Sequence, residues 1–159
     1  MDPFHQFLNN IFETGDLSRD EIVHTTLLCS LKMAVVFSQV KSIEICSDDS
    51  SYDDFKSLTK TQVQRRVSEW FRQTFPKMLG PKTFINPNDL TTFGDYGIED
   101  YIDMLVDLCS CLIAVRQIYT NDKQAQMNKI CWEYRVRWGR VFHIFITNIF
   151  TAEYYNWYS

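Results

Sequence analysis

A chain of 159 residues is one domain's length and long enough to bury a sizeable core. Hydrophobic residues at 45% against charged residues at 23% exclude a disordered composition. A formal net charge of -4 argues against nucleic-acid binding as the main activity, because that rests on Lys and Arg neutralising phosphates.

The first element is short. Phe4, Phe7, Leu8, Ile11 and Phe12 recur at helical spacing over 2–15, and Gly15 is a stop signal. Ser18-Arg19-Asp20-Glu21 then forms a capping box, in which the Ser hydroxyl accepts from the third helical amide and the Glu carboxylate reaches back. Val23, Leu27, Leu31, Ala34 and Val35 extend this second helix to about Val40. A Ser- and Asp-rich stretch around Ser47-Asp48-Asp49-Ser50-Ser51 predicts a flexible acidic loop over about 44–56. Thr59-Lys60-Thr61-Gln62 is a second capping box. The helix it opens has the stripe Val63, Val67, Trp70, Phe71, Phe75 and Met78, with Pro76 shortening the last turn and Gly80-Pro81 ending it. Asn86-Pro87 reads as a cap with proline at the first helical position, so a further short helix is expected before Gly94 and Gly97.

From about 98 to 119 a long helix is apolar almost all round: Tyr101, Ile102, Met104, Leu105, Val106, Leu108, Leu112, Ile113, Ala114, Val115 and Ile118. Such a helix is normally central, with neighbours on every side. Asn121-Asp122 caps the next helix, with Met127, Ile130, Cys131, Tyr134 and Trp138 on its stripe. Gly139 is a possible break before Val141, Phe142, Phe145 and Ile149. The tail, 154–158, is strongly aromatic. No strand shows convincing alternation, Ser42 to Cys46 being the nearest case. The expected fold class is all-α, one helical domain over 1–159 built around the 98–119 helix.

The candidates for chemistry are few. The five cysteines, Cys29, Cys46, Cys109, Cys111 and Cys131, are odd in number and lack a Cys-x-x-Cys, which reads as reduced, buried thiols in an intracellular protein. His24 and Cys29 lie five apart and do not stack on a helix; His5 and His143 are isolated. Cys109 and Cys111 point to different sides of one helix, and Asp103 with Asp107 reads as a solvated or partner-facing edge, so no metal or cofactor is expected. No glycine-rich phosphate loop is present. Nor does a run of about 18 apolar residues or a basic-then-apolar start occur, so neither a membrane span nor a secretory signal is expected. Lys129, Arg135, Arg137 and Arg140 cluster near Trp132 and Trp138, either as a plain charged outer face or as a contact for a membrane surface or an acidic partner. An enzyme is not expected.

The order of elements resembles the Bcl-2 family of apoptosis regulators, in a divergent form like those carried by large DNA viruses such as iridoviruses. Arg19-Asp20-Glu21-Ile22-Val23 is similar to the start of the family's first helix. Val67, Phe71, Phe75 and Met78 are similar to the second helix, one wall of its binding groove. Phe93-Gly94-Asp95-Tyr96-Gly97 is similar to the turn before the central helix, and Asp107-Leu108-Cys109-Ser110-Cys111 falls where that helix has an acid, an apolar residue and two small ones. The family's Asn-Trp-Gly-Arg signature is absent near Ile98 to Ile102. No Lys or Arg occurs between Asp95 and Val115, so the arginine that pairs with the ligand's aspartate is missing.

The resemblance implies a pro-survival viral protein that inhibits apoptosis by taking up the BH3 helix of host pro-apoptotic proteins in a hydrophobic groove. It assigns that groove to Val67, Trp70, Phe71, Phe75, Met78, Phe93, Tyr101, Ile102 and Leu105. It also implies a place in the host cytoplasm, with a peripheral position at mitochondria and a homodimer as options, and a narrow ligand range for want of the arginine. Two alternatives stay open. One is the same fold with its groove filled, inhibiting innate immune signalling through an outer face or dimer surface. The other is a helical viral assembly subunit that uses the aromatic tail as a contact.

Overall fold

The computed structural model of the chain describes residues 2–39, 50–76, 83–86, 89–95 and 98–154, and for 50–59 and 83–98 the backbone alone. Helix α1 (Pro3–Phe12) starts where Asp2 accepts from the amide of His5 at 2.8 Å, with Pro3 at a position whose missing N–H costs nothing. Its far end is closed by another element: Nε of Arg66 donates to the carbonyl of Ile11 at 2.9 Å. Gly15 sits at φ +56°, the left-handed turn that lets the chain double back into α2.

Helix α2 (Arg19–Gln39) opens with the expected capping box. The amide of Ser18 donates to Glu21 at 3.1 Å, and the amide of Glu21 donates to Ser18 Oγ at 3.2 Å. Its buried stripe is Val23, Thr26, Leu27, Ser30, Met33 and Phe37. Leu31 and Val35, assigned to that stripe from sequence, instead face outward with Leu28. Apolar residues occupy both sides of α2, so spacing alone does not choose between them. By length and composition α2 is also long and apolar enough to cross a membrane. The sequence reading missed this because Thr25, Thr26, Ser30 and Lys32 interrupt every continuous apolar run.

Helix α3 (Ser50–Thr74) begins well before the Thr59 capping box. The acidic loop expected over about 44–56 is therefore helical from Ser50 onward; 40–49 lie outside the described residues. Tyr52, Phe55 and Leu58 already keep helical spacing ahead of Val63 and Val67, and Asp53 and Asp54 lie near the helix's positive end. Helix α3 stops at Thr74, two residues before Pro76, as a proline demands of the residues ahead of it.

The short helix expected after Asn86-Pro87 is not formed. Strands β1 (Thr83–Asn86) and β2 (Asp89–Asp95) pair antiparallel, with Thr83 opposite Asp95, Phe84 opposite Gly94 and Ile85 opposite Phe93, and the register shifts between Ile85 and Asn86. Thr and Phe on both sides of the Pro87-Asn88 dipeptide, with Ile85 before it, favour extended backbone over helix. The fold is predominantly helical, with this ribbon as an addition.

Helix α4 (Ile98–Ile118) is the central element, packed against α1, α3, the two helices that follow it and the turn joining them. Asp122 caps α5 (Lys123–Glu133) by accepting from the amide of Ala125 at 3.0 Å. Gly139 does not break the chain direction. Residues Tyr134–Trp138 form one π-helical turn that leads directly into α6 (Gly139–Tyr154), and the amide of Gly139 bonds the carbonyl of Tyr134. A Cβ at Gly139 would lie 2.3 Å from that carbonyl oxygen, so the wide turn needs glycine there. The guanidinium of Arg19 ties the bundle's end together: Nε donates to the Thr74 carbonyl at 2.9 Å and a terminal nitrogen pairs with the nearly buried carboxylate of Glu153.

Candidate functional site

Most of the sequence-predicted groove residues meet in one place, where α3 lies along α4. Val67, Phe71, Phe75 and Leu105 are 0% exposed, Tyr101 and Ile102 1%, and Trp70 2%. Phe71 is the hub. Its ring lies 5.5 Å from Phe75, 6.0 Å from Tyr101, stacked, and 6.1 Å from Phe145. Phe75 meets Trp70 at 5.4 Å and Phe145 at 5.7 Å, both edge to face, the favoured geometry for ring quadrupoles. The Tyr101 hydroxyl accepts from the side-chain amide of Asn148 on α6, so its one polar atom is satisfied inside the core. Phe145 and Asn148 are thus part of the cluster although the sequence reading did not assign them to it. The signal was the α6 stripe itself, which places Phe145 on the face turned toward α3 and α4.

Two remaining candidates stand apart. Phe93 lies on β2 opposite Ile85, and its side chain is outside the described residues. Met78 is outside them altogether.

Ion pairs frame the α3–α4 contact. Lys60 Nζ lies 2.9 Å from Asp107, and Arg72 lies 3.0 Å from Glu99 at the other end. Lys60, Arg72 and Glu99 are exposed and Asp107 is partly buried, so each pair contributes little. Asp107 is thereby drawn to Lys60, while Asp103 points to solvent.

A second aromatic group lies where α2 meets the π turn. Phe37 stacks on Tyr134 at 4.0 Å and meets Trp138 at 5.4 Å and Phe142 at 6.2 Å. The Tyr134 hydroxyl is hydrogen-bonded to His143 Nε2. Burial holds His143 below the usual imidazole range.

Cys29 is buried, its thiol 3.4 Å from the Thr26 carbonyl and pushed up to about 12 by desolvation, so it is not poised as a thiolate. Cys109 is buried and raised further still by the same cause. Among the described residues no group of three or more His, Cys, Asp or Glu side chains converges as metal ligands would. What the arrangement offers chemically is apolar packing inside and two distinctive outer surfaces. One is the α2 stripe of Leu28, Leu31 and Val35; the other is the cationic face of the π turn. No family model, curated protein or solved structure matches the chain.

Proposed function

We propose that this chain is a non-catalytic protein-binding module built on a Bcl-2-like plan, a viral pro-survival protein that restrains apoptosis by engaging the BH3 helix of host pro-apoptotic proteins. The observation that carries the reading is the enclosed α4, with an aromatic amphipathic helix, α3, laid along it. Val67, Phe71, Tyr101, Ile102 and Leu105, which the resemblance assigns to the groove, are all buried in the core, with Phe71 stacked on Tyr101. Binding would rest on apolar burial, about 25 cal/mol per Å² before association costs. The test is calorimetric titration of the full chain with a panel of BH3 peptides. Affinity tighter than about 10 μM, about -7 kcal/mol, is expected for at least one peptide, and its absence across the panel rejects the reading.

The second reading is inhibition of innate immune signalling through an outer face of the same bundle. A specific observation supports it: Phe71 and Phe75 are 0% exposed, whereas Leu28, Leu31 and Val35 are 44%, 38% and 56% exposed on α2. A partner that binds the outer face leaves the aromatic cluster closed. Leu28→Asp or Val35→Asp would then abolish association with the signalling partner, while Phe71 variants would act only through stability.

A further inference from the structure

The chain's charge is strongly divided. Between Lys123 and Ala152 there are five basic residues and one carboxylate, while the rest carries eleven basic residues and nineteen carboxylates. That one carboxylate, Glu133, is completely buried and paired with Arg137 at 3.1 Å. Among the described residues of α5, the π turn and the first turns of α6, the exposed charged side chains are therefore all cationic: Lys123, Arg135, Arg137 and Arg140. The π turn adds shape to this. It presents Arg135, Val136 and Arg137 as three consecutive exposed side chains, with Val136 58% exposed at the crest, and Arg140 follows one turn on. Beside them Trp132 is half-buried, with Lys129 Nζ 4.8 Å from its ring centroid.

From this we infer that the ridge Trp132–Arg140 docks on an anionic phospholipid surface. A helical ridge with an apolar residue between cations and a Trp at its flank suits the headgroup boundary, where arginines meet lipid phosphates and Val and Trp enter the acyl edge. The exposed Val136 and the half-buried Trp132 among these cations set the lipid above an acidic polypeptide as the partner, because an acyl edge takes apolar side chains that a row of carboxylates does not. The inference is independent of the proposed groove, because none of these residues belongs to the Phe71 cluster.

The test is co-sedimentation of the full chain with phosphatidylserine–phosphatidylcholine vesicles and with pure phosphatidylcholine vesicles. Binding to the first and not the second is expected, falling steeply as salt rises from about 0.1 M to about 1 M and the screening length shrinks from about 10 Å to about 3 Å. Each lipid-facing cation strengthens partitioning about fivefold, so Arg135→Gln with Arg140→Gln should weaken it by about 25-fold. Arg137 is left in place because it holds Glu133. The pair Lys32→Gln with Arg65→Gln removes the same charge from exposed sites on other helices and should leave partitioning nearly unchanged. Equal loss in both pairs, equal binding to neutral vesicles, or retention on soluble polyglutamate without vesicle binding would each overturn the inference. Unaltered far-UV circular dichroism in both variants confirms that the fold is not the cause.

Discussion

Replacing Phe71 by alanine separates the two functional readings. The ring is fully buried and has three aromatic neighbours within 6.1 Å, one just past the end of α3, one on α4 and one on α6. Its removal forfeits the transfer energy of the side chain and leaves a void that helices locked by their other contacts cannot close. Phe→Ala at such a site costs about 3–5 kcal/mol. The loss of three ring pairs, each worth about 0.5–1.5 kcal/mol beyond area, places this variant in the upper part of that range. For a domain of this size about 2–4 °C are lost per kcal/mol, so a loss of about 4 kcal/mol lowers Tm by about 8–16 °C. Urea and thermal melts followed by circular dichroism read the cost directly. Leu28→Ala, at a half-exposed position on α2, is the reference and should cost less than about 1 kcal/mol. A Phe71→Ala protein that melts within about 1 kcal/mol of the parent, yet no longer binds a peptide the parent binds, would refute the closed-core reasoning and restore an open furrow.

Gly139→Ala tests the π turn by its sign. In an ordinary helix interior the change stabilises by about 1 kcal/mol, but here the new methyl meets the Tyr134 carbonyl at 2.3 Å and its ring at 2.9 Å. A net loss of about 1–3 kcal/mol is expected in urea melts, and a stabilised variant would contradict the turn. Alkylation at about pH 8 should spare Cys29, Cys109 and Cys131, whose thiols burial pushes upward, until denaturant is added; mass spectrometry of digests gives the answer site by site. His143 is held below its ordinary value in the folded chain, so the unfolded chain binds its proton first. Stability is therefore greatest above the unfolded value of about 6.5 and declines as pH falls through it toward the folded one. His143→Phe should flatten that part of a series of urea melts across pH.

Much of the helical plan was legible. Caps are local chemistry, so the Ser18–Glu21 box and the Asp122 cap are found where the sequence puts them. The all-round apolar run of α4 states its central place directly. The errors came where local signals compete. Around Ser50 the Ser and Asp residues that favour loops also favour the first turns of a helix, and the apolar spacing behind them tips the balance. At Asn86-Pro87 a helix-start signal sits inside a β-rich context, and the context prevails. On α2 two apolar stripes of similar strength run side by side, and only the partners of Phe37 decide which is inside. That Phe71, Phe75 and Tyr101 lie close together in the core is consistent with their apolar spacing; their closure was not legible, because it depends on Phe145 and Asn148 arriving from α6.

The charges along α4 bear on what kind of helix it accepts if capture is its function. The exposed or half-exposed residues near its start are Glu99, Asp100, Asp103 and Asp107, and no Lys or Arg precedes Arg116. Glu99 and Asp107 are engaged by Arg72 and Lys60 from α3, and Asp103, between them, is exposed to water, as is Asp100 at the helix start. A ligand helix bearing an aspartate at its centre would bring like charge toward this edge, whereas one bearing lysine would bring complementary charge. The proposed capture therefore predicts an inverted preference. In a BH3 peptide, exchanging the central aspartate for lysine should strengthen binding to this chain about two- to fivefold at low salt, the scale of one exposed ion pair. Asp103→Asn should erase the difference. A tighter complex with the unmodified aspartate peptide would mean that the ligand's charge is read from a different wall, and α4 would lose its assigned part in recognition.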